Sequence, residues 1–579
     1  MTVETAFPSF VTPARRLIEG SAEGPLLFSD TALSLWGGVD PETGLVIDQA
    51  HPLHGRSLKG VILAIPGGRG SCTGSAVLMQ LILNGKAPAG MVFSQAEEIL
   101  TLGVMVAEEM YGRSLPIAVI SPAAFAELKG QTRIRIAGEA VFAPGASRPT
   151  DRRVAERPDP SIALDDQDRR LLSDQVPQAT RTAMRIVVRM AELLGAKRLI
   201  DVSQVHVDGC IYTGPASLDF AEKLADWGGQ VVVPTSLNAI SADQARWRQQ
   251  GTDPALSMAA SALADAYVRM GARPTFTCAP YQLDGAPGAG EAIAWAESNA
   301  VVYANSVLGA RTMKYPDFLD ICIALTGRAP EAGCHLDGNR KAGLVVAVDP
   351  MDNADDSFWP LLGYRIGALA PNVIPVVTGL ERSGPTADDL KAFGAAFATT
   401  SAAPMFHIVG VTPEAPTLDA ASGGAEIPSV RVTRADLAAD WLHFNPTLGE
   451  AVQLVALGNP HFSADECRVL AQLCVGRTKH ADVALTVTLS RVTHARIVEA
   501  GIAAALEAFG VSFVRDACWC TVLSPIVPPR AQTILTNSGK YAHYGPGLSG
   551  KAVRFASLAD CAEAAVTGRA PVAPAPWLA

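Results

Sequence analysis

Short apolar runs bounded by Gly, Pro or charge recur along the chain. Between them, apolar residues return at helical spacing. Residues 59–66 (Lys-Gly-Val-Ile-Leu-Ala-Ile-Pro) form one such run and predict a buried strand. A Gly/Ser loop follows at 67–75, and the apolar stretch from Ala76 onward predicts a helix. Strand-length runs at 90–94, 116–120 and 132–137 complete an α/β unit ending near residue 142. Residues 143–160 hold four prolines and four arginines with little apolar content, which predicts an extended, solvated linker. Beyond it the pattern predicts helices at 179–194, 220–227 and 291–298. It predicts strands at 198–206, 230–233 and 343–348. This alternation of strand and helix points to α/β layers with parallel sheets.

Size sharpens that division. A chain of 579 residues is too long for one hydrophobic core, since single cores stop growing near ~250–300 residues. The expected organisation is a small domain over 1–142, a linker over 143–160 and a larger multi-lobed α/β/α region over 161–579. The chain is 49% hydrophobic and 18% charged, which suits a well-buried globular protein. The net charge of −10 disfavours nucleic acid and anionic membrane partners, which need a basic face. No apolar run is long enough to span a bilayer. The N-terminus carries Glu4, Pro8 and Pro13 where a signal peptide needs an apolar stretch. A cytoplasmic location is therefore expected, and the ten cysteines read as reduced thiols.

The 67–75 loop, Gly-Gly-Arg-Gly-Ser-Cys-Thr-Gly-Ser, is the sharpest local feature. Between a strand and a helix N-terminus, such a loop gathers free N–H groups and the positive end of the helix dipole. Arg69 adds a planar fork suited to a carboxylate. Gly70, Thr73 and Ser75 are candidate binding positions beside it, and Ser71 is a candidate base or nucleophile. The loop has neither the Gly-Lys-Ser/Thr ending of a Walker A loop nor the Gly-x-Gly-x-x-Gly fingerprint. A tight turn capped by Ser and Thr explains the same letters equally well. Taken singly, Cys278, Cys518 and Cys520 read as buried packing residues, because no Cys-x₂-Cys pair marks a metal site. Glu297, Ser298, Asn299, Asn305, Ser306 and Arg311 lie among apolar residues and need polar partners, either backbone or ligand. Asn537, Ser538 and Lys540 form a second polar loop able to hold an acid group. His206 and Cys210 lie where a predicted strand ends, which is where α/β sheets place ligands.

Three segments together resemble the aconitase X family, and the likeness extends over nearly the whole chain. They are GGRGSCTGS, TCAPYQLDGAPGAGEAIAWAESNAVVYANSVLGAR, and the tail DACWC with TNSGKYAHYGPGLSG. The resemblance implies a small swivel-like domain fused to a large aconitase-like region, with no obligatory partner subunit. It implies a hydro-lyase acting on a small hydroxy acid. The fused type is associated with dehydration of cis-3-hydroxy-L-proline to Δ1-pyrroline-2-carboxylate, the two-subunit type with mevalonate 5-phosphate. It also implies Ser71 as base and a Lewis-acidic iron at the leaving hydroxyl. Cys278 and Cys518 fall in family cysteine motifs and are the first ligand choices. The phosphomevalonate type resembles Gly-Cys-Pro-His at a third ligand position. Here the segment is Gly458-Asn459-Pro460-His461, so Asn459 replaces that cysteine. The substitution favours a [2Fe–2S] cluster over a three-cysteine one, with a mononuclear iron as the alternative. It leaves Cys210, Cys334 or Cys520 as a substitute ligand, and it favours the hydroxyproline type. The competing reading from a different class is a metal-free protein that keeps the loop as an anion nest.

Overall fold

The computed structural model describes residues 10–49, 51–69, 72–143 and 162–578. Gly70, Ser71 and residues 144–160 of the expected linker lie outside them. The chain forms two compact units. One comprises Met1–Ile200, Thr213–Gly229 and Pro316–Ala332; the other comprises Asp201–Tyr212, Gln230–Tyr315 and Gly333–Ala579.

The first unit is built on an eight-stranded sheet. Its strands are β1 (Val11–Pro13), β2 (Arg15–Ile18), β3 (Ala22–Phe28), β4 (Ile62–Ala64), β5 (Gly90–Phe93), β6 (Ile117–Val119), β7 (Arg133–Ala137) and β8 (Ala140–Phe142). The order is β1-β8-β7-β3-β4-β5-β6-β2. The central β3-β4-β5-β6 pairs are parallel and the flanking pairs antiparallel. Every residue of β4 and β5 is buried, as the unbroken apolar runs require of parallel strands covered on both faces. The helix α1 (Gly74–Leu83) is apolar nearly all round and all but its last residue is buried. It packs against α2 (Ile99–Tyr111). The two helices approach at Gly103, where an added Cβ would lie 2.4 Å from the Ser75 carbonyl oxygen. Helix Gln178–Leu193 packs on helix Leu319–Thr326 in the same unit. Buried Arg328 there binds Asp165 and Asp168, both at 2.8 Å.

The second unit carries three wholly parallel sheets. The smallest runs Thr235–Leu237, Val205–Val207, Ala294–Trp295. The next runs His407–Ile408, Pro375–Thr378, Leu344–Val348, Ser429–Val432. The largest runs Val511–Arg515, Ala484–Leu489, Leu454–Leu457, Thr533–Thr536, Ala552–Phe555. In chain order the largest reads third, second, first, fourth, fifth. The order therefore reverses between Leu454–Leu457 and Thr533–Thr536. Crevices at the carboxyl ends of strands on either side of such a reversal are where open α/β sheets bind ligands.

Three elements differ from the sequence-based expectation. The strand predicted at 198–206 is two strands, Leu199–Asp201 and Val205–Val207, in different sheets. The strand predicted at 230–233 is an exposed connector, with Val232 63% exposed, and the strand begins at Thr235. Pro234 has no N–H for a ladder, so the β-branched run stops short of the sheet. The helix predicted at 291–298 is a buried strand, Ala294–Trp295, followed by helix Ser298–Tyr303. Its small apolar residues suit either element, and pairing with Val205 and His206 decided the matter.

Candidate active site

In the first unit, the 67–75 loop leaves the carboxyl end of β4 and enters α1. Gly68 bridges Leu33, and the Arg69 N–H reaches the Leu33 carbonyl at 3.4 Å. The Arg69 side chain is exposed and pairs with Asp48 at 2.9 Å. Thr73 is buried at the N-cap of α1, but its side chain makes no capping bond. Ser75 Oγ donates to the carbonyls of Cys72 and Asp317, at 3.0 and 3.1 Å. The Ser75 hydroxyl thus ties the start of α1 to the segment around Asp317.

In the second unit, Cys278, Cys518 and Cys520 gather around Ala239. They arrive on separate segments. Thr277-Cys278 runs beside strand Thr235–Leu237, with the Thr277 N–H on the Leu237 carbonyl at 3.0 Å. Cys518-Trp519-Cys520 follows strand Val511–Arg515 after a turn at Asp516, a positive-φ residue held by Arg491 at 2.8 Å. Asn459 follows strand Leu454–Leu457 and donates from Nδ2 to the Cys520 sulfur at 3.7 Å. Backbone N–H groups also reach the sulfurs. That of His461 points at Cys278 Sγ (3.2 Å), and that of Cys520 at Cys518 Sγ (3.4 Å).

A buried ion pair sets the electrostatics. Lys540 Nζ lies 2.9 Å from Glu297 Oε1. Glu297 also accepts the Ala300 N–H at 2.8 Å, capping helix Ser298–Tyr303, and a bond from Asn299. Asn299 donates to the Cys278 carbonyl at 2.9 Å and accepts from the Tyr281 hydroxyl at 2.7 Å. Burial, with Glu297 nearby, pushes the Cys278 thiol up to about 12. A hydrogen bond between Cys518 and Cys520 raises Cys518 and, with Lys540 assisting, draws Cys520 down to about 7. Burial holds His461 neutral by lowering it to about 4. Its Nε2 lies 2.9 Å from the Ala517 carbonyl and so carries the proton. Its Nδ1 is buried with no hydrogen-bond partner among the described residues.

The donor chemistry suits an iron–sulfur cluster. Soft thiolates select such clusters, and N–H bonds to sulfur stabilise their charge. Three thiols, one amide and one cation meet here. Among the described residues no group of three or more His, Cys, Asp or Glu side chains stands arranged as a metal site. In their present geometry the three sulfurs are a hydrogen-bonded group of thiols, with Asn459 as a fourth, non-ionising member. Beside them lies a small pocket lined by Lys391, Glu466, Asn459, Asn537, Ser538 and Gly539, among others. It opens at the strand-order reversal of the largest sheet. Ser538 caps the helix Gly539–Ser549 and donates to the Asn459 carbonyl.

Of the other sequence candidates, His206 and Cys210 border this centre through Thr277 and Asn238, whereas Asn305 and Ser306 bond elsewhere. His206 is fully buried, bonded through Nδ1 to Ser236 Oγ at 2.8 Å, and burial lowers it to about 3. The Cys210 thiol donates to the carbonyls of Val207 and Asn238, both at 3.3 Å. Asn305 binds the carbonyls of Thr312 and Pro404, and Ser306 accepts the Phe406 N–H. Ser298 is half-buried at the start of its helix. Two residues with a clear place here went unselected from sequence: Lys391 and Glu466. Ser463-x-x-Glu466 is a legible capping box. Its tie to buried Lys391, which also binds Asp388 at 2.8 Å, is long-range and has no sequence signal.

Comparison with known proteins agrees with this architecture. The sequence matches the aconitase X swivel domain over residues 11–142 and the aconitase X first, second and third domains over 161–338, 342–442 and 452–567. It is 55% identical over 568 residues to the cis-3-hydroxy-L-proline dehydratase of Pseudomonas aeruginosa, covering 97% of this chain and 98% of that protein. It is 53% identical over 566 residues to the protein of the same name from Hypocrea jecorina, covering 95% and 94%. The crystal structure of Thermococcus kodakaraensis aconitase X (holo-form) superposes with a TM-score of 0.63 at 29% identity, covering 70% of this chain and all of that one. With all four domains matched in a single polypeptide, the chain belongs to the aconitase X family.

Proposed function

We propose that the protein is a hydro-lyase that dehydrates cis-3-hydroxy-L-proline, giving an enamine that tautomerises to Δ1-pyrroline-2-carboxylate. The names of the two full-length relatives support this substrate. The observation that carries the chemistry is the meeting of Cys278, Cys518 and Cys520 with Asn459 beside the Lys540–Glu297 pair. We assign Cys278 and Cys518 as ligands of a [2Fe–2S] cluster, with Asn459 and Cys520 beside them at the remaining position. When bound, the cluster supplies a Lewis-acidic iron for the departing hydroxyl. Ser71 is the proposed base for the adjacent C–H, and Arg69 the carboxylate clamp, with Gly70 a further binding position. An ordinary serine hydroxyl is too weak a base at neutral pH, so donors around the loop must stabilise its ionised form. Lys540, Asn299, Asn537 and Ser538 supply a polar wall suited to a small zwitterionic acid. One cation already matched by Glu297 suits a carboxylate better than a doubly charged phosphate. The protein purified without air should turn over cis-3-hydroxy-L-proline and not mevalonate 5-phosphate. The reverse preference would sink the assignment.

A further inference from the structure

The segment after β5, Ser94-Gln95-Ala96-Glu97-Glu98, lies at the carboxyl end of that strand, next to the turn that leaves the parallel neighbour β4. Glu97 there is buried. One carboxyl oxygen, Oε2, accepts the N–H groups of Leu100 at 2.7 Å and Thr101 at 3.3 Å, at the start of α2. The other, Oε1, lies directly under the loop. A Cβ added to Gly68 would stand 2.8 Å from it, and one added to Gly67 would stand 3.0 Å from Gln95 Nε2. The two glycines are therefore what allows the loop backbone to sit on this carboxyl. We propose that Glu97 is a positioning residue of the reaction: its neutral carboxyl seats the Gly67–Gly68 turn, and its ionisation unseats the loop that carries Arg69 and Ser71.

The surroundings agree. Burial, reinforced by Glu98, pushes the Glu97 carboxyl up to about 8, against the opposing pull of the α2 N–H groups. Glu98 is itself raised by burial and faces Arg15. Helix α1 and strands β4 and β5 contain no ionisable residue, and Arg69 on the overlying turn is exposed and paired with Asp48. Glu97 is thus an acid at neutral pH. Its ionisation places a buried charge, only partly offset by the α2 N–H groups, against the turn's backbone, which favours moving the turn away from it.

The inference rests on the dehydratase reading, and two measurements separate their failures. The first is the pH profile of turnover on cis-3-hydroxy-L-proline. Glu97→Ala should lower kcat at pH 7 by about tenfold, through a misplaced loop. Glu97→Gln, which mimics the neutral carboxyl, should restore it to within about threefold and should lack the wild-type fall above about pH 8. An alkaline limb unchanged in Glu97→Gln, or a Gln variant as impaired as the Ala variant, overturns the proposal. The second is trypsin cleavage after exposed Arg69, read by mass spectrometry. The wild-type rate relative to Glu97→Gln should climb between pH 7 and 9, and a constant ratio overturns the proposal whatever the activity. If no form of the protein dehydrates hydroxyproline but that ratio climbs, the substrate assignment fails and the carboxyl-controlled seating of the loop stands.

Discussion

The 67–75 loop and the cysteine centre make opposite demands on the chain. The loop is nine consecutive residues running from beyond β4 into the first turn of α1, a single local stretch of sequence. The centre is assembled from segments spread from Ala239 to Lys540; most follow the ends of parallel strands, and Cys278 comes on a segment running beside one. Local chemistry can thus be encoded in one stretch of sequence. The cysteine centre depends on the smallest and the largest of the parallel sheets both being correctly built.

That difference is tested most strongly at the sulfurs. Cys278→Ser and Cys518→Ser should lose iron and visible colour, and turnover should fall by about 1000-fold or more, as for loss of an essential electrophile. Full iron retention in either variant would remove that residue from the ligand set. Next is the buried pair. Lys540→Met leaves Glu297 buried without its cation, which should destabilise the protein by about 3–5 kcal/mol in denaturant unfolding. Adding Glu297→Gln should recover most of that stability but not activity. Recovery of both would make the pair a packing feature only.

The loop side makes a gentler, pH-dependent prediction. The Glu97 carboxyl lies near 8 when folded and near 4.5 when unfolded. Between those values the folded protein holds a proton that the unfolded chain has released. Wild-type stability relative to Glu97→Gln should therefore decline as pH rises from about 5 to 8, by roughly 3 kcal/mol, and level off above. A difference that stays flat across this range would contradict the assignment. At the small end, Val232→Ser should change stability by less than about 0.5 kcal/mol, because Val232 is an exposed connector residue. A larger loss would mean that the 230–233 run packs as the strand its β-branched residues suggested.

The sequence carried a good share of this account. Strands β4 to β7 and α1 follow directly from apolar periodicity, and the glycine loop stands out unaided. Cys278 and Cys518 could be singled out through family motifs, whereas their spacing carried no signal. What escaped was long-range. Cys520 and Asn459 become neighbours only when strands Val511–Arg515 and Leu454–Leu457 lie in one sheet. Glu297 looked like one polar residue in an apolar stretch until helix Ser298–Tyr303 required a cap and Lys540 a partner. Glu97 gave no signal because a buried acid reads in sequence like a surface one. Errors in local structure arose where short apolar runs suit either element, as at 291–298, or where one proline displaces a strand, as at Pro234.

The division of labour between loop and centre is tested most directly by measuring iron content and turnover together in Ser71→Ala. The account predicts wild-type iron and colour with turnover on cis-3-hydroxy-L-proline reduced by about 1000-fold or more. Near-normal turnover, or loss of iron along with activity, would contradict it.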